Sequence, residues 1–188
     1  VCSSDLEGNR VGRITKVTHQ GGVEERWYGK LGERVKEVKS VHVPSARYPS
    51  GKKYSQGRTQ PEEYAVFQTA YEYDSFGRLH RLVYPDGEEL VYEYHAGGQP
   101  KAVRGRYKGV PYAYVAHLGY DAFEQRVHVA LGNGAESTYA YDPATRRLAS
   151  LATHSAGQRF QNLGYQYDRV GNVTDLVNDV AVPTDGLG

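Results

Sequence analysis

Apolar and polar residues alternate with a period of two over several short stretches of the chain. Leu90, Tyr92 and Tyr94 occupy alternate positions of one stretch, and residues 126–131 have valine or leucine at every other position. A period of two places successive side chains on opposite faces of a β-strand. The pattern therefore predicts short strands, each with one more apolar face, and no segment indicates a helix.

Tyrosines recur along the chain, each at the start of a similar short segment. The segments YGKLGERV, YDSFGRLH, YHAGGQPK, YDAFEQRV, YDPATRRL and YDRVGNVT begin at Tyr28, Tyr73, Tyr94, Tyr120, Tyr141 and Tyr167, which we call the anchors. From Tyr73 onward, successive anchors are separated by 21, 26, 21 and 26 residues. The spacing predicts a 47-residue double repeat of one shorter and one longer hairpin.

The residues that follow each anchor are typical of a tight turn. Asp74 suits the first position of a type I turn, where its carboxylate accepts hydrogen bonds from backbone N–H groups ahead of it. Gly77 then stands where positive φ is favoured. Asp168 and Gly171 repeat this arrangement, and Asp142 is followed by a proline that pre-sets φ for the second turn position.

The two kinds of hairpin differ in their second reversal. The shorter ones have turn residues at 84–87 and 131–134, which predict tight reversals. For the longer ones we expect a wider loop, around residues 105–111 and 153–157.

These patterns predict an all-β fold, an antiparallel curved sheet of successive hairpins. Regular repeats are expected over residues 67–188, and less regular ones over residues 5–66, with a strand over 34–43. Proline, glycine and cations predict a long surface loop at residues 44–61. We expect residues 1–4 to be a non-native leader.

The motif Y-D-x-x-G-R-L or Y-D-x-x-G-N-x resembles the repeats of the Rhs/YD-repeat family of bacterial polymorphic toxins and insecticidal toxin complexes. Its best instances lie at residues 73–79 and 167–173, and residues 5–10 resemble a repeat without its tyrosine. Some repeats depart from the motif. Gly29 and His95 replace the aspartate, while Glu124 and Thr145 stand in the place of the turn glycine, so we expect those turns to close in other ways.

The resemblance implies a continuous β-sheet that spirals into a hollow shell, of which this chain is an open segment. Such a shell holds a separate toxin polypeptide and helps to deliver it. The implied partners are the rest of the repeat shell and the enclosed toxin, and the implied location is secreted or at the cell surface, with the export signal encoded elsewhere. The expected structural residues of the repeats are Tyr73, Asp74, Gly77, Tyr94, Tyr120, Asp121, Tyr141, Asp142, Tyr167, Asp168 and Gly171.

Composition narrows the possible partners. The chain has 23 Lys and Arg against 22 Asp and Glu, and these charges are interspersed, so we expect no nucleic-acid partner. The sequence contains no run of 18 apolar residues, so we expect no membrane-spanning helix. Cys2 is the single cysteine, which leaves no intrachain disulfide and no thiolate metal cluster.

Candidate chemistry is sparse. The seven histidines are scattered without the spacing of a metal site, and the aspartates recur in the turns, where the repeat itself accounts for them. We therefore expect no catalytic residue, no cofactor and no metal, and the chain is not predicted to be an enzyme. The alternative is a cell-surface carbohydrate-binding module, in which exposed tyrosines such as Tyr92 and Tyr139 contact glycans.

Overall fold

A computed structural model describes residues 9–43 and 64–180, and these ranges contain strands and turns without a helix. The strands are β1 Lys16–His19, β2 Gly22–Tyr28, β3 Arg34–His42, β4 Tyr64–Tyr73, β5 Leu79–Val83, β6 Glu89–Tyr94, β7 Pro100–Tyr107, β8 Val110–Tyr120, β9 Arg126–Leu131, β10 Glu136–Tyr141, β11 Leu148–Ser155, β12 Gln158–Tyr167 and β13 Val173–Asn178. The all-β, antiparallel fold class is confirmed. The expected leader at residues 1–4 and loop at residues 44–61 lie outside the described residues.

The chain divides into two compact units. The first comprises Val1–Val91 and Arg106–Gly109, and the second comprises Tyr92–Gly105 and Val110–Gly188. In the first unit each of β1 to β5 pairs antiparallel with the next strand. In the second unit the same holds from β8 to β13. Each unit is therefore built from consecutive hairpins.

Few side chains are fully buried, because each unit is a single layer of strands. Among the described residues, the buried apolar side chains are Leu82, Leu90 and Ala102. Leu82 lies between Tyr71 and Leu90 on the neighbouring strands. Elsewhere apolar contact comes from half-buried cross-strand pairs, such as Tyr139 opposite Leu151. A sheet held in this way has no second layer of secondary structure to cover it within the described ranges.

The longer hairpins do not contain the wider loops that the sequence predicted. Lys108 and Gly109 alone join β7 to β8, with φ of 49° and 81°, and Ala156 and Gly157 join β11 to β12, with φ of 48° and 79°. Two consecutive residues with positive φ form a type I′ turn, whose twist matches that of the flanking strands. The residues by which the longer hairpins exceed the shorter ones therefore lengthen their strands. For example, β8 of a longer hairpin has 11 residues, whereas β9 of a shorter one has 6.

The reversals of the shorter hairpins are tight turns, as expected. The N–H of Tyr84 donates to the Glu88 carbonyl over 2.8 Å, and that of Leu131 donates to the Ala135 carbonyl over 2.8 Å. The expected strand over 34–43 corresponds to β3.

Candidate functional site: the anchor turns

Five of the six turns that follow the anchors share one backbone geometry. In Asp74–Arg78, the N–H of Asp74 donates to the Arg78 carbonyl over 2.9 Å, and the N–H of Gly77 donates to the Asp74 carbonyl over 3.0 Å. Asp168 and Gly171 repeat both bonds. Gly77 has φ of 75° and Gly171 has φ of 101°, in the left-handed region that favours glycine. We call these segments, and the equivalent ones after the other anchors, the anchor turns.

The aspartate at the start of the turn holds the backbone amides that follow. Asp74 Oδ1 accepts from the N–H groups of Phe76 and Arg78 over 2.9 and 3.0 Å. Asp121, Asp142 and Asp168 each accept at least two backbone N–H groups in the same way. A carboxylate engaged like this closes the turn, which is a structural role.

The hydrogen bonds favour the charged carboxylates. The backbone and side chain of Thr145 lower the pKa of Asp142, and the side chain and backbone of Asn172 lower the pKa of Asp168. Partial desolvation raises the pKa of Asp74, but the bonds from Arg78 and Phe76 outweigh it, so the net pKa is lowered. Low pKa values keep these groups ionised as acceptors at neutral pH.

A residue that the sequence reasoning missed completes the motif. After the turn glycine, Arg78 Nε donates to Asp74 Oδ2 over 2.7 Å, and Asn172 Nδ2 donates to Asp168 Oδ2 over 2.8 Å. The arginine or asparagine that follows the glycine in the motif thus donates a hydrogen bond to the second carboxylate oxygen of the turn aspartate. The recurrence of either residue after the glycine was the available signal.

Glu124 closes the same backbone turn as the glycine does, against expectation, whereas the turn that contains Thr145 closes in another way, as expected. Glu124 itself adopts φ of 62°, and its N–H donates to the Asp121 carbonyl over 3.1 Å. In the next anchor turn the left-handed residue is Arg146, with φ of 60°, because that turn is one residue longer. Thr145 therefore does not occupy the place of the glycine, and its hydroxyl donates to Asp142 instead.

The two turns that lack the aspartate also keep the backbone bonds. The N–H of Gly29 donates to the Glu33 carbonyl over 2.8 Å, and that of His95 donates to the Gln99 carbonyl over 2.9 Å. In the first of these, Glu33 Oε2 accepts the N–H of Leu31 over 2.9 Å, so a carboxylate from the far side of the turn replaces the missing one. His95 Nε2 instead bonds the carbonyl of Leu118 over 2.9 Å.

Four anchor tyrosines reach back to the turn before their own hairpin, which is the turn at residues 10–13 for Tyr28 and the preceding anchor turn for the other three. Their hydroxyls donate to the carbonyl of a residue just after that turn, over 2.7 to 3.0 Å: Tyr28 to Ile14, Tyr73 to Arg34, Tyr141 to Arg126 and Tyr167 to Leu148. Burial raises the pKa of Tyr73 and Tyr141, which keeps these hydroxyls protonated as donors. Each such bond ties one hairpin to the next.

Further side chains join consecutive anchor turns in the second compact unit. Gln125 Nε2 donates to the Arg146 carbonyl over 2.8 Å, and Arg147 Nη1 donates to the Asp168 carbonyl over 2.8 Å. Tyr120, at the end of β8, lies edge-on to His95 with ring centroids 5.9 Å apart. Tyr94 ends β6 and is half-buried. In this unit, consecutive anchor turns are therefore linked to one another by side-chain contacts.

A charged cluster lies in the first compact unit. Glu37, only 5% exposed, places Oε2 2.8 Å from Arg34 Nη1 and Oε1 2.8 Å from Lys39 Nζ, and it accepts the Tyr71 hydroxyl over 3.3 Å. Burial raises the pKa of Glu37, but the neighbouring cations, with Lys39 foremost, outweigh it and the net pKa is lowered. The sequence pattern did not reveal this cluster, because Lys and Glu in a strand usually face solvent.

Three histidines described as scattered in the sequence are neighbours in the second unit. The ring centroids of His95 and His117 are 6.1 Å apart, and those of His117 and His128 are 5.9 Å apart. His128 Nε2 also lies 3.3 Å from a carboxylate oxygen of Glu136. Within residues 9–43 and 64–180, no group of three or more His, Cys, Asp or Glu is arranged to hold a metal ion. In the same ranges no helix is long and apolar enough to cross a membrane.

Comparisons with known proteins agree with the repeat pattern. No protein-family model matches the chain. Toxin subunit YenC1 of Yersinia entomophaga is 33% identical over 120 residues, which cover 60% of this chain and 11% of that protein. Toxin subunit YenC2 of the same organism is 31% identical over 121 residues, 61% of this chain and 12% of that protein. The chain thus spans about a tenth of the length of these relatives.

Solved structures share the fold. The Photorhabdus luminescens Tc holotoxin pore superimposes with a TM-score of 0.77 at 22% identity, over 97% of this chain and 9% of that one. The crystal structure of TcdB2–TccC3 gives a TM-score of 0.77 at 20% identity, over 97% of this chain and 9% of that one. The chain is thus similar to two toxin subunits over about three fifths of its length and shares the fold of these toxin structures, in agreement with the resemblance of its turn motif to the Rhs/YD repeats.

Proposed function

We propose that this chain forms a length of wall in a hollow toxin-complex shell whose repeats enclose a toxin polypeptide. The observation that carries the proposal is the single layer of hairpins in each compact unit, with few buried side chains in the described ranges. A globular domain buries a core between two layers, whereas a wall needs one. The similarity to subunits of toxin complexes supports this assignment.

In this proposal the anchor turns set the register of the wall. The residues that do so are Tyr73, Asp74, Gly77, Tyr94, Tyr120, Asp121, Tyr141, Asp142, Tyr167, Asp168 and Gly171. The turn geometry sets which residues face each other across a hairpin. The tyrosine hydroxyls then tie each hairpin to the one before it. The partners are the rest of the repeat shell and the enclosed polypeptide, and the protein acts as a secreted structural component without catalysis of its own.

The carbohydrate-binding alternative is not favoured. Tyr139, one of the tyrosines that a glycan would have to contact, is half-buried, and the guanidinium of Arg126 lies 4.7 Å above its ring. Stacking of a sugar needs an open aromatic face.

Protease protection tests the proposed enclosure. In the longer polypeptide that contains this segment, we expect the toxin part to resist digestion, and to become sensitive when Gly77→Val and Gly171→Val are combined, because β-branched residues strain both anchor turns. Gly164→Val is the matched control, since Gly164 lies within β12 and a Cβ there meets no atom within 4 Å. The proposal fails if the toxin part of the unmutated protein is digested as fast as the toxin produced alone.

A further inference from the structure

A shallow cavity lies on one face of the second compact unit, where β10, β11 and β12 lie side by side. It has a volume of about 330 Å³ and is lined by Thr138, Ala152, His154, Gly157 and Arg159. Thr138 is on β10 and Arg159 is on β12, so about 10 Å separates their backbones across the sheet. Ala152 lies between them on β11 with only a methyl group, which leaves the space open.

The strand register explains why a histidine and an arginine meet at this cavity. Thr153 lies opposite Gln161, so regular pairing would place Phe160 opposite His154. A register shift at this point places Arg159 opposite His154 instead. Side chains of directly opposite residues lie within reach of each other on one face of a sheet. The imidazole and the guanidinium therefore line the cavity together.

None of the three polar side chains in the cavity lining has a partner among the described residues. No side-chain hydrogen bond or ion pair there involves Thr138, His154 or Arg159. Most arginines of the same unit are engaged, namely Arg104 with Glu93, Arg126 with Tyr139, Arg146 with Asp121 and Arg147 with the carbonyl of Asp168. Arg169 also has no partner in residues 9–43 and 64–180, but it does not line the cavity. Three side chains that can donate hydrogen bonds thus converge on one concave surface.

The carboxylate closest in register to this cavity is directed elsewhere. Glu136 lies directly opposite His154 on β10, and Arg159 lies opposite it on β12, so these are the charged residues that the neighbouring strands present to His154. The carboxylate of Glu136 lies 3.3 Å from Nε2 of His128 on β9, and Glu136 is not a lining residue. Within the described ranges, no acid of the chain therefore neutralises Arg159.

A second, smaller cavity in the same unit differs in this respect. It has a volume of about 170 Å³, and its lining includes Asn162 and Asp179. Asn162 Nδ2 donates to Asp179 Oδ1 over 2.6 Å, so the amide and the acid satisfy each other. The polar groups of the larger cavity, in contrast, are open to a ligand.

The types of side chain determine what the larger cavity can bind. Arg159 has N–H donors and no acceptor, which excludes a metal ion as its ligand. Its planar guanidinium matches two oxygens of one carboxylate or phosphate group. Thr138 adds an O–H donor, and His154 adds a second positive charge once it is protonated, a change that histidines generally undergo between about pH 5 and 8. The set fits an anion that accepts several hydrogen bonds.

We propose that this cavity is a binding site for an oxyanion, a carboxylate or phosphate group, held by Arg159, His154 and Thr138. Arg159 is charged throughout the physiological pH range, whereas His154 gains its charge as the pH falls. The affinity for the anion should therefore rise as the pH falls. This inference goes beyond the proposed wall function and does not depend on it. The anion is either an acidic side chain of the longer polypeptide or a free ion from solution.

Titration with sulfate tests the site in the 188-residue chain. Sulfate is a suitable probe because its charge stays constant over the pH range in which histidines titrate. When sulfate replaces chloride at constant ionic strength, the amide NMR signals of Thr138, His154 and Arg159 should shift to saturation. The dissociation constant should be several-fold lower at about pH 6 than at about pH 8. Shifts that do not saturate, or an affinity that is the same at both pH values, would overturn the proposal.

Matched arginine variants separate the site from a general effect of charge. Arg159→Gln should weaken sulfate binding by about tenfold or more, while Arg169→Gln, which removes an arginine outside the cavity, should not change it. His154→Gln should keep part of the affinity but lose its pH dependence. Because the replaced side chains are exposed, the thermal midpoint of each variant should change by less than about 2 °C. An equal loss of affinity in the two arginine variants would contradict the proposal.

Crosslinking in the longer polypeptide identifies the source of the anion. With Arg159→Lys, a zero-length carbodiimide joins the introduced amine to a carboxylate in direct contact with it. A crosslink from position 159 to an acidic residue outside residues 1–188, absent with Arg169→Lys, supports the site and assigns an acidic side chain as its ligand. Sulfate binding without such a crosslink supports the site with a free anion as its ligand. The absence of both results would refute the site.

Discussion

The two compact units differ in whether a charged side chain is buried between their strands. In the first, the buried Glu37 on β3 forms ion pairs with Arg34 and Lys39 and accepts a hydrogen bond from the hydroxyl of Tyr71 on β4. Among the described residues of the second, no charged side chain is buried, and Leu151 lies opposite both Tyr139 and Leu163. The same antiparallel pairing is thus compatible with ionic and with apolar cross-strand contacts.

This difference shows which part of the repeat is constrained. The strand faces vary from charged to apolar, while the anchor turns and the tyrosine hydroxyl bonds recur in both units. A buried ion pair depends on every partner, because removal of one leaves an uncompensated charge. Truncation of one partner of an apolar pair removes only the free energy of the buried contact area. We therefore expect the first unit to be sensitive to single charge deletions and both units to be equally sensitive at their turns.

The largest effect is expected at the charged cluster. Glu37→Ala should lower the free energy of unfolding by about 2 kcal/mol, because it leaves Arg34, Lys39 and the Tyr71 hydroxyl without their common acceptor. Urea denaturation measures the loss, and hydrogen exchange should locate it in β3 and β4. The control is Glu72→Ala on β4, where the exposed carboxylate pairs with Arg81, and it should cost less than about 1 kcal/mol. Equal losses in the two variants would contradict the view that burial makes the difference.

Turn glycines should matter alike in both units. Gly77→Val and Gly171→Val should each destabilise by about 1–2 kcal/mol, because a β-branched residue is strained at positive φ. Gly164→Val, in an open strand position, should be nearly neutral by the same denaturation assay. If the Gly164 variant lost as much as the other two, backbone strain would not be the cause.

The anchor hydroxyls should also contribute equally. Tyr73→Phe in the first unit and Tyr167→Phe in the second should each cost about 1 kcal/mol, the value of one part-buried hydrogen bond to a carbonyl. Tyr165→Phe, two residues before an anchor, is the control. A loss confined to one unit would mean that the reach-back bond is not a common feature of the repeats.

The smallest expected effect is an increase in the free energy of unfolding. Glu124→Gly should stabilise the chain by about 0.5–1 kcal/mol, because Glu124 occupies a left-handed position that glycine adopts without strain. Thr138→Gly, in β10, should instead destabilise by a similar amount through backbone entropy. A shift of thermal midpoint to lower temperature in the Glu124 variant would contradict its assigned backbone conformation.

Local chemistry accounts for the parts of the fold that the sequence predicted. Asp74 and Gly77 lie within one turn, and their preferences act over four residues, so motif and geometry correspond directly. The predicted wide loops were wrong because residue counts alone do not distinguish a longer loop from longer strands with a two-residue turn. Glu124 was misjudged for a related reason: the bonds of Asp121 hold the turn closed even where the residue at positive φ is not glycine.

Long-range neighbours account for what the sequence did not reveal. Glu37 and Tyr71 are 34 residues apart, and His117 and His128 meet only because β8 and β9 pair in one particular register. The sequence by itself determined the strands, the aspartate-capped turns and the repeat period, because these depend on alternation and on turn preferences within a few residues. Only the tertiary structure decided which carbonyl each of the four bonded anchor tyrosines reaches and where a carboxylate is buried, because those depend on the register between strands.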